Sequence, residues 1–242
     1  MARKIIVVTA AYGNDRVKAL GGQSAVLPFI AGSGADGVEI RRELFSADEL
    51  NHLPELAADI ERRGLLVCYS APEALFTADG SLNPRLADFL QEAQTLNALW
   101  LKLSLGRFTH QNDLDTLRDI LRESGMALVV ENDQTDCGQL APMQRFKAAC
   151  RVNQLPITLT FDMGNWLWVG DSPEEAARLL FLAARDPAAL ERPELDIHSE
   201  AKAWKEIWSA GQGVGSIADL PGAAELADRL AAEYAAARAA LA

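Results

Sequence analysis

The chain has 242 residues, 49% of them hydrophobic, enough for one large core in the size range of an α/β barrel, with two small domains as the alternative. A formal net charge of −11 sets it against a nucleic-acid backbone as partner, because phosphate binding needs a basic surface. Cys68, Cys137 and Cys150 form no CxxC pair and no apolar run is long enough for a membrane span, so the expectation is a cytoplasmic protein with reduced, structural thiols.

Arg3-Lys4 precedes a short apolar run, Ile5–Thr9, which reads as a strand rather than as the core of a signal peptide. Similar β-branched or apolar runs follow at Gly37–Ile40, Leu65–Tyr69, Ala98–Ser104, Met126–Glu131 and Ile157–Asp162, with a weaker one at Leu195–His198. Successive starts lie roughly 30 residues apart. Between them the apolar spacing is helical: Leu50, Leu53, Leu56, Ala57 and Ile60 within Asp48–Arg63; Leu86, Phe89, Leu90 and Ala93 within Asn83–Thr95; and Leu114, Leu117, Ile120 and Leu121 within Asp113–Ser124. Gly64 and Gly125 stand where helices end, and Ser172-Pro173-Glu174-Glu175 is a helix start.

Repeated strand–helix units imply a parallel sheet. The even period favours a (β/α)8 TIM barrel over an open, doubly wound sheet, and no glycine fingerprint follows the first strand, where the chain runs Ala10-Ala11-Tyr12-Gly13. One domain over residues 1–242 is expected, atypical after about residue 185. There the eighth strand is missing or distorted, with Gly211–Leu220 its best candidate and an alanine-rich helix over Gly222–Ala242.

Two of the apolar runs finish on a carboxylate, at Glu131 and at Asp162. A buried strand carries an acid only where a metal, a cation or a substrate offsets its desolvation. Catalytic groups of barrels stand at the C-terminal strand ends. Those ends here also offer Thr9 and Tyr12, Glu39, Arg41 and Glu43, Tyr69, Lys102 and Ser104, Asn165 and Trp166, and His198. The set suits a hydroxylated small molecule together with a divalent cation on oxygen and nitrogen ligands. Each residue also has an ordinary reading. Glu131 and Asp162 fit helix caps or ion pairs, Arg41 and Glu43 fit a mutual pair, and Trp166 and Trp168 fit rim packing.

Four stretches resemble the xylose-isomerase-like TIM barrels of sugar-phosphate isomerases and epimerases. Gly34-Ala-Asp-Gly-Val-Glu-Ile-Arg-Arg-Glu-Leu-Phe45 resembles that family's second strand, and Leu128-Val-Val-Glu-Asn132 its fifth. Leu159-Thr-Phe-Asp-Met-Gly-Asn-Trp166 resembles its sixth, and Asp196-Ile-His198 its seventh. The resemblance implies a divalent metal (Mn, Mg, Co or Zn) on Glu131, Asp162 and His198, with Glu131 also the acid/base that moves a proton next to a carbonyl. It gives Lys102 an anionic substrate to neutralise and makes Glu39, Asn165 and Trp166 substrate contacts. The implied partner is a small carbohydrate, keto-sugar acid or sugar phosphate, with no membrane or nucleic acid, and the chain pairs as a homodimer. The alternatives are a keto-polyol dehydratase and a degenerate barrel that binds a metabolite without turnover. The sequence departs from the family in lacking an eighth-strand glutamate and in placing Asn165 where histidine is common.

Overall fold

The computed structural model describes residues 4–109, 112 and 114–182, together with 225, 229 and 232. In chain order its elements are β1 (Ile6–Val8), α1 (Asn14–Ala19), α2 (Leu27–Gly32), β2 (Gly37–Arg41), α3 (Ala47–Asn51), α4 (Leu53–Arg62) and β3 (Leu66–Phe76). There follow α5 (Leu86–Thr95), β4 (Leu101–Gly106), α6 (Leu114–Ser124), β5 (Leu128–Glu131), α7 (Leu140–Val152), β6 (Ile157–Thr160), α8 (Met163–Trp168) and α9 (Pro173–Ala176).

The six described strands form one sheet in sequence order, β1 to β6, and every neighbouring pair is parallel. An open doubly wound sheet reverses its order at a switch point, whereas a barrel wall does not. No reversal occurs among the described strands.

Register sorts the side chains onto two faces, because paired residues of neighbouring strands point the same way and alternate along each strand. Val38, Ile40, Tyr69, Leu101, Leu103, Leu128 and Val130 occupy the helix-facing side and are almost completely buried. Against them pack the apolar stripes of the helices, such as Leu53, Leu56, Ala57 and Ile60 of α4 and Leu86, Phe89, Leu90 and Ala93 of α5. Phe76, Phe108 and Phe146 add a ring cluster with centroids 5.2 to 6.0 Å apart. The opposite, inward side carries the polar residues.

Three elements differ from the sequence expectation. The helix expected over Asp48–Arg63 is two helices separated at His52, because Pro54 has no N–H to donate and its ring forbids a continuous helix through that point. It sits instead in the first turn of α4, where both properties are tolerated. β3 runs past Tyr69 to Phe76 across a register shift between Ser70 and Ala74, which accommodates Pro72. The sixth strand ends at Thr160, and Asp162 starts the next helix. Gly64 and Gly125 do end helices, at φ of 68° and 64°, and the Ser172 hydroxyl accepts the Glu175 N–H at 3.2 Å as the cap of α9. The expected strand at Leu195–His198 and the Gly211–Leu220 candidate lie outside the described residues. Residues 225, 229 and 232 of the expected terminal helix are helical. No helix among the described residues is long and apolar enough to cross a membrane.

Candidate functional site

The inward face of the sheet gathers charge at one place. Lys102 on β4 is 9% exposed, and its Nζ lies 3.1 Å from Glu39 Oε1 and 3.1 Å from Glu131 Oε1. Register explains the convergence. Lys102 pairs with Ser70 and Val129, and Glu131, two residues beyond Val129, pairs with Ser104 and Thr160 on the same face. Glu39, on β2, pairs with Cys68. β3 therefore intervenes between Glu39 and Lys102, and its inward residues there are small, Cys68 and Ser70. Their size leaves the path over β3 open to the two long side chains.

Arg41, also on β2, reaches Glu39 at 3.4 Å and Glu43 at 2.7 Å. Among the described residues Glu39 thus faces two cations, while Glu131 is paired with Lys102 alone. Burial pulls the Lys102 ammonium toward losing its proton, but the charges of Glu39 and Glu131 outweigh it and hold the pKa above the ordinary lysine value. Glu131 moves the other way for an acid. Burial, with further repulsion from Glu39 and Asp162, raises its pKa despite the Lys102 contact. Cys68, beneath the cluster, is pushed up to about 12 by burial and by Glu39, so its thiol stays protonated near neutrality.

Beyond β5 and β6 a hydrogen-bonded joint fixes the next carboxylate. Asn132 is fully buried; its Nδ2 donates to the Asp162 carbonyl at 2.8 Å and its Oδ1 accepts the Asp162 N–H at 2.9 Å. Asn165 Nδ2 returns a bond to the Asn132 carbonyl at 2.7 Å. Asp162 Oδ1 accepts the N–H groups of Gly164 at 2.9 Å and Asn165 at 3.1 Å, capping α8. The Tyr12 hydroxyl after β1 and the Thr160 hydroxyl beside Glu131 are buried without a hydrogen-bond partner among the described residues.

No family model matches the chain, and no curated protein matches it in sequence. Solved structures do match in shape. A xylose isomerase domain containing protein from Salmonella typhimurium LT2 superposes with a TM-score of 0.54 at 16% identity, over 75% of this chain and 68% of that one. A D-psicose 3-epimerase, solved in the presence of D-fructose, gives 0.54 at 13% identity over 86% and 83%. A probable 3-DHS dehydratase from Bacillus anthracis gives 0.50 at 12% identity over 81% of each chain. The fold is that of the xylose-isomerase-like TIM barrels. Identities this low carry the architecture alone.

Within this barrel, Glu39, Lys102 and Glu131 meet on the inward face. Glu131 is the last residue of β5, on the side where barrels place their active sites. Glu39 lies in the middle of β2, and Lys102 is the second residue of β4 rather than at its expected C-terminal end. Lys102 is held between two protein carboxylates, Glu39 and Glu131. Trp166 is completely buried against Phe161, with ring centroids 6.1 Å apart, so it is core packing and offers no wall to a sugar. Trp168 is the exposed one of the pair. Asn165 is tied to the β5 backbone and serves the joint rather than a ligand. Arg41 and Glu43 pair as one of their expected readings had it.

The expected metal set of Glu131, Asp162 and His198 is not assembled among the described residues. His198 lies outside them, and no group of three or more His, Cys, Asp or Glu side chains within them is placed to hold an ion. Glu131 is already paired with an ammonium, and one oxygen of Asp162 is taken by helix N–H groups. Among the described residues the donors left over are one oxygen each of Glu131 and Asp162, fewer than the several oxygen or nitrogen donors a divalent cation takes.

Sequence reasoning passed over Asn132 and Thr160. Asn132 alternates in direction with Glu131 and points into the helix layer, where a fully buried amide must find partners. Its place directly after a strand-end acid was the available signal.

Proposed function

We propose that this barrel is a sugar isomerase or epimerase that moves a proton at the carbon next to a carbonyl of a small keto-sugar, keto-sugar acid or sugar phosphate. The observation that carries the reading is the Glu39–Lys102–Glu131 cluster on the inward face, in which the half-buried carboxylate that ends β5 lies beside a buried cation. Ionised Glu131 takes the proton as the C–H bond breaks, and the electron pair moves onto the carbonyl oxygen to give an enediolate. Lys102 stabilises that negative charge at close range. Return of the proton from Glu131 to the neighbouring carbon, with the hydroxyl proton on that carbon passing to the former carbonyl oxygen, completes isomerisation. Epimerisation instead takes a proton from water on the opposite face of the same carbon, and Glu131 then releases the proton it holds to solvent. The raised pKa of Glu131 makes it a stronger base than an ordinary carboxylate, which suits abstraction from carbon. A cytoplasmic, dimeric enzyme of carbohydrate metabolism is part of the same reading.

A dehydratase acting on a keto-polyol begins with the same abstraction, and the likeness to the probable dehydratase favours it as the second reading. Proton exchange in D2O, followed by NMR over a panel of ketoses, keto-acids and sugar phosphates, reads the step that both share. Deuterium is expected at the carbon next to the carbonyl, and Glu131→Gln is expected to slow its entry by about 10²–10⁴-fold. No exchange with any member of the panel would instead support a metabolite-binding barrel without turnover.

A further inference from the structure

We infer that the ammonium of Lys102 is the resident cation of this site, occupying the position between the Glu39 and Glu131 carboxylates that a divalent metal would otherwise take. The inference deepens the isomerase reading, on which its catalytic meaning rests, but its geometry stands apart from it. Lys102 is nearly buried at mid-sheet, and its Nζ meets Glu39 and Glu131 at the same distance, 3.1 Å. The two acids come from β2 and β5, on either side of the lysine's own strand. They reach one point because Cys68 and Ser70 keep the intervening inward face low. A buried charge is retained where it is paired, and here the Lys102 charge answers Glu131 and shares Glu39 with Arg41.

A metal brought to Glu131 would stand within a few ångströms of that ammonium. It would meet like-charge repulsion in a poorly screened place and would compete with the Lys102 ion pair for the Glu131 charge. Glu39 is further occupied by Arg41, so it is not a spare ligand. The cation that faces a developing enediolate is therefore built into the chain, positioned by the fold before substrate arrives.

The test uses the full chain and Mn²⁺ alone as probe. Protein stripped with EDTA is titrated with Mn²⁺ by calorimetry, and its melting temperature is recorded with and without the ion. The unsubstituted chain is expected to show no saturable binding and no shift. Lys102→Met removes the competing charge and frees the Glu131 carboxylate, so it is expected to bind Mn²⁺ at least tenfold more tightly, and adding Glu131→Gln is expected to abolish the gain. If Lys102→Met does not fold, Lys102→Gln and the unsubstituted chain carry the same test. Stoichiometric Mn²⁺ binding by the unsubstituted chain, weakened by Glu131→Gln, overturns the inference, as does proton exchange that requires added Mn²⁺. Absence of proton exchange in a chain that refuses Mn²⁺ would fail the isomerase reading and leave the cation assignment standing.

Discussion

Asn132 shows how much of the site depends on a residue that never faces it. One side chain satisfies both the N–H and the C=O of Asp162 and so locks the end of β6 to the end of β5. Asn132→Ala leaves those two backbone groups unpaired in a buried place, at about 1–3 kcal/mol for each. The expected result is a lower urea midpoint with an unchanged slope, measured by equilibrium unfolding. Asn132→Asp keeps the shape but sets a carboxylate oxygen against the Asp162 carbonyl in place of a donor, and is expected to destabilise as well. The desolvation of an acid at the end of an apolar strand made Glu131 and Asp162 legible from sequence alone. Their partners were not legible, because Lys102 and Asn132 become neighbours of those acids only through strand register.

At the level of elements, periodicity exposed the strands and the longer helices, since burial on one face repeats along the chain. It missed what depends on single backbone atoms. Pro54 divides a continuous apolar stripe into α3 and α4, and a stripe does not register a lost N–H. The start of the sheet offers a sharper test. Asp36, on the turn into β2, accepts from Lys4 Nζ at 2.7 Å and from the Ile5 N–H at 2.8 Å, tying the approach to β1 onto its neighbour. The Lys4 hydrogen bond, then the Ile5 N–H, hold its carboxyl below the usual aspartate value. A depressed folded-state pKa means that the contribution is fully present above the unfolded value of about 3.9 and is lost as pH falls through the folded one. Asp36→Asn is expected to lower the melting temperature at neutral pH, and that deficit is expected to shrink toward zero as the melts are repeated at lower pH. A deficit independent of pH would mean that Asp36 acts through shape alone.

On the scale of the molecule, the described residues share one apolar cluster that reaches from Val17 and Ile30 beside the first strands to Phe146 and Leu180 beside the last. A sheet whose strands all pair with their sequence neighbours passes any local loss directly to the next strand, which favours one cooperative unit over two small domains. Two core truncations at opposite ends of the sheet test this. Ile30→Ala is expected to cost about 2–5 kcal/mol and Phe146→Ala about 3–5 kcal/mol, through lost transfer energy and the cavity left behind. In a single unit, scanning calorimetry shows one endotherm that either substitution moves as a whole, and the double variant falls near the sum because the sites share no partners. In a two-domain chain, each substitution would shift one of two endotherms and leave the other in place. The distinction bears on function, because Glu39 and Glu131 belong to opposite halves of the described sheet and hold Lys102 together only while both halves are folded.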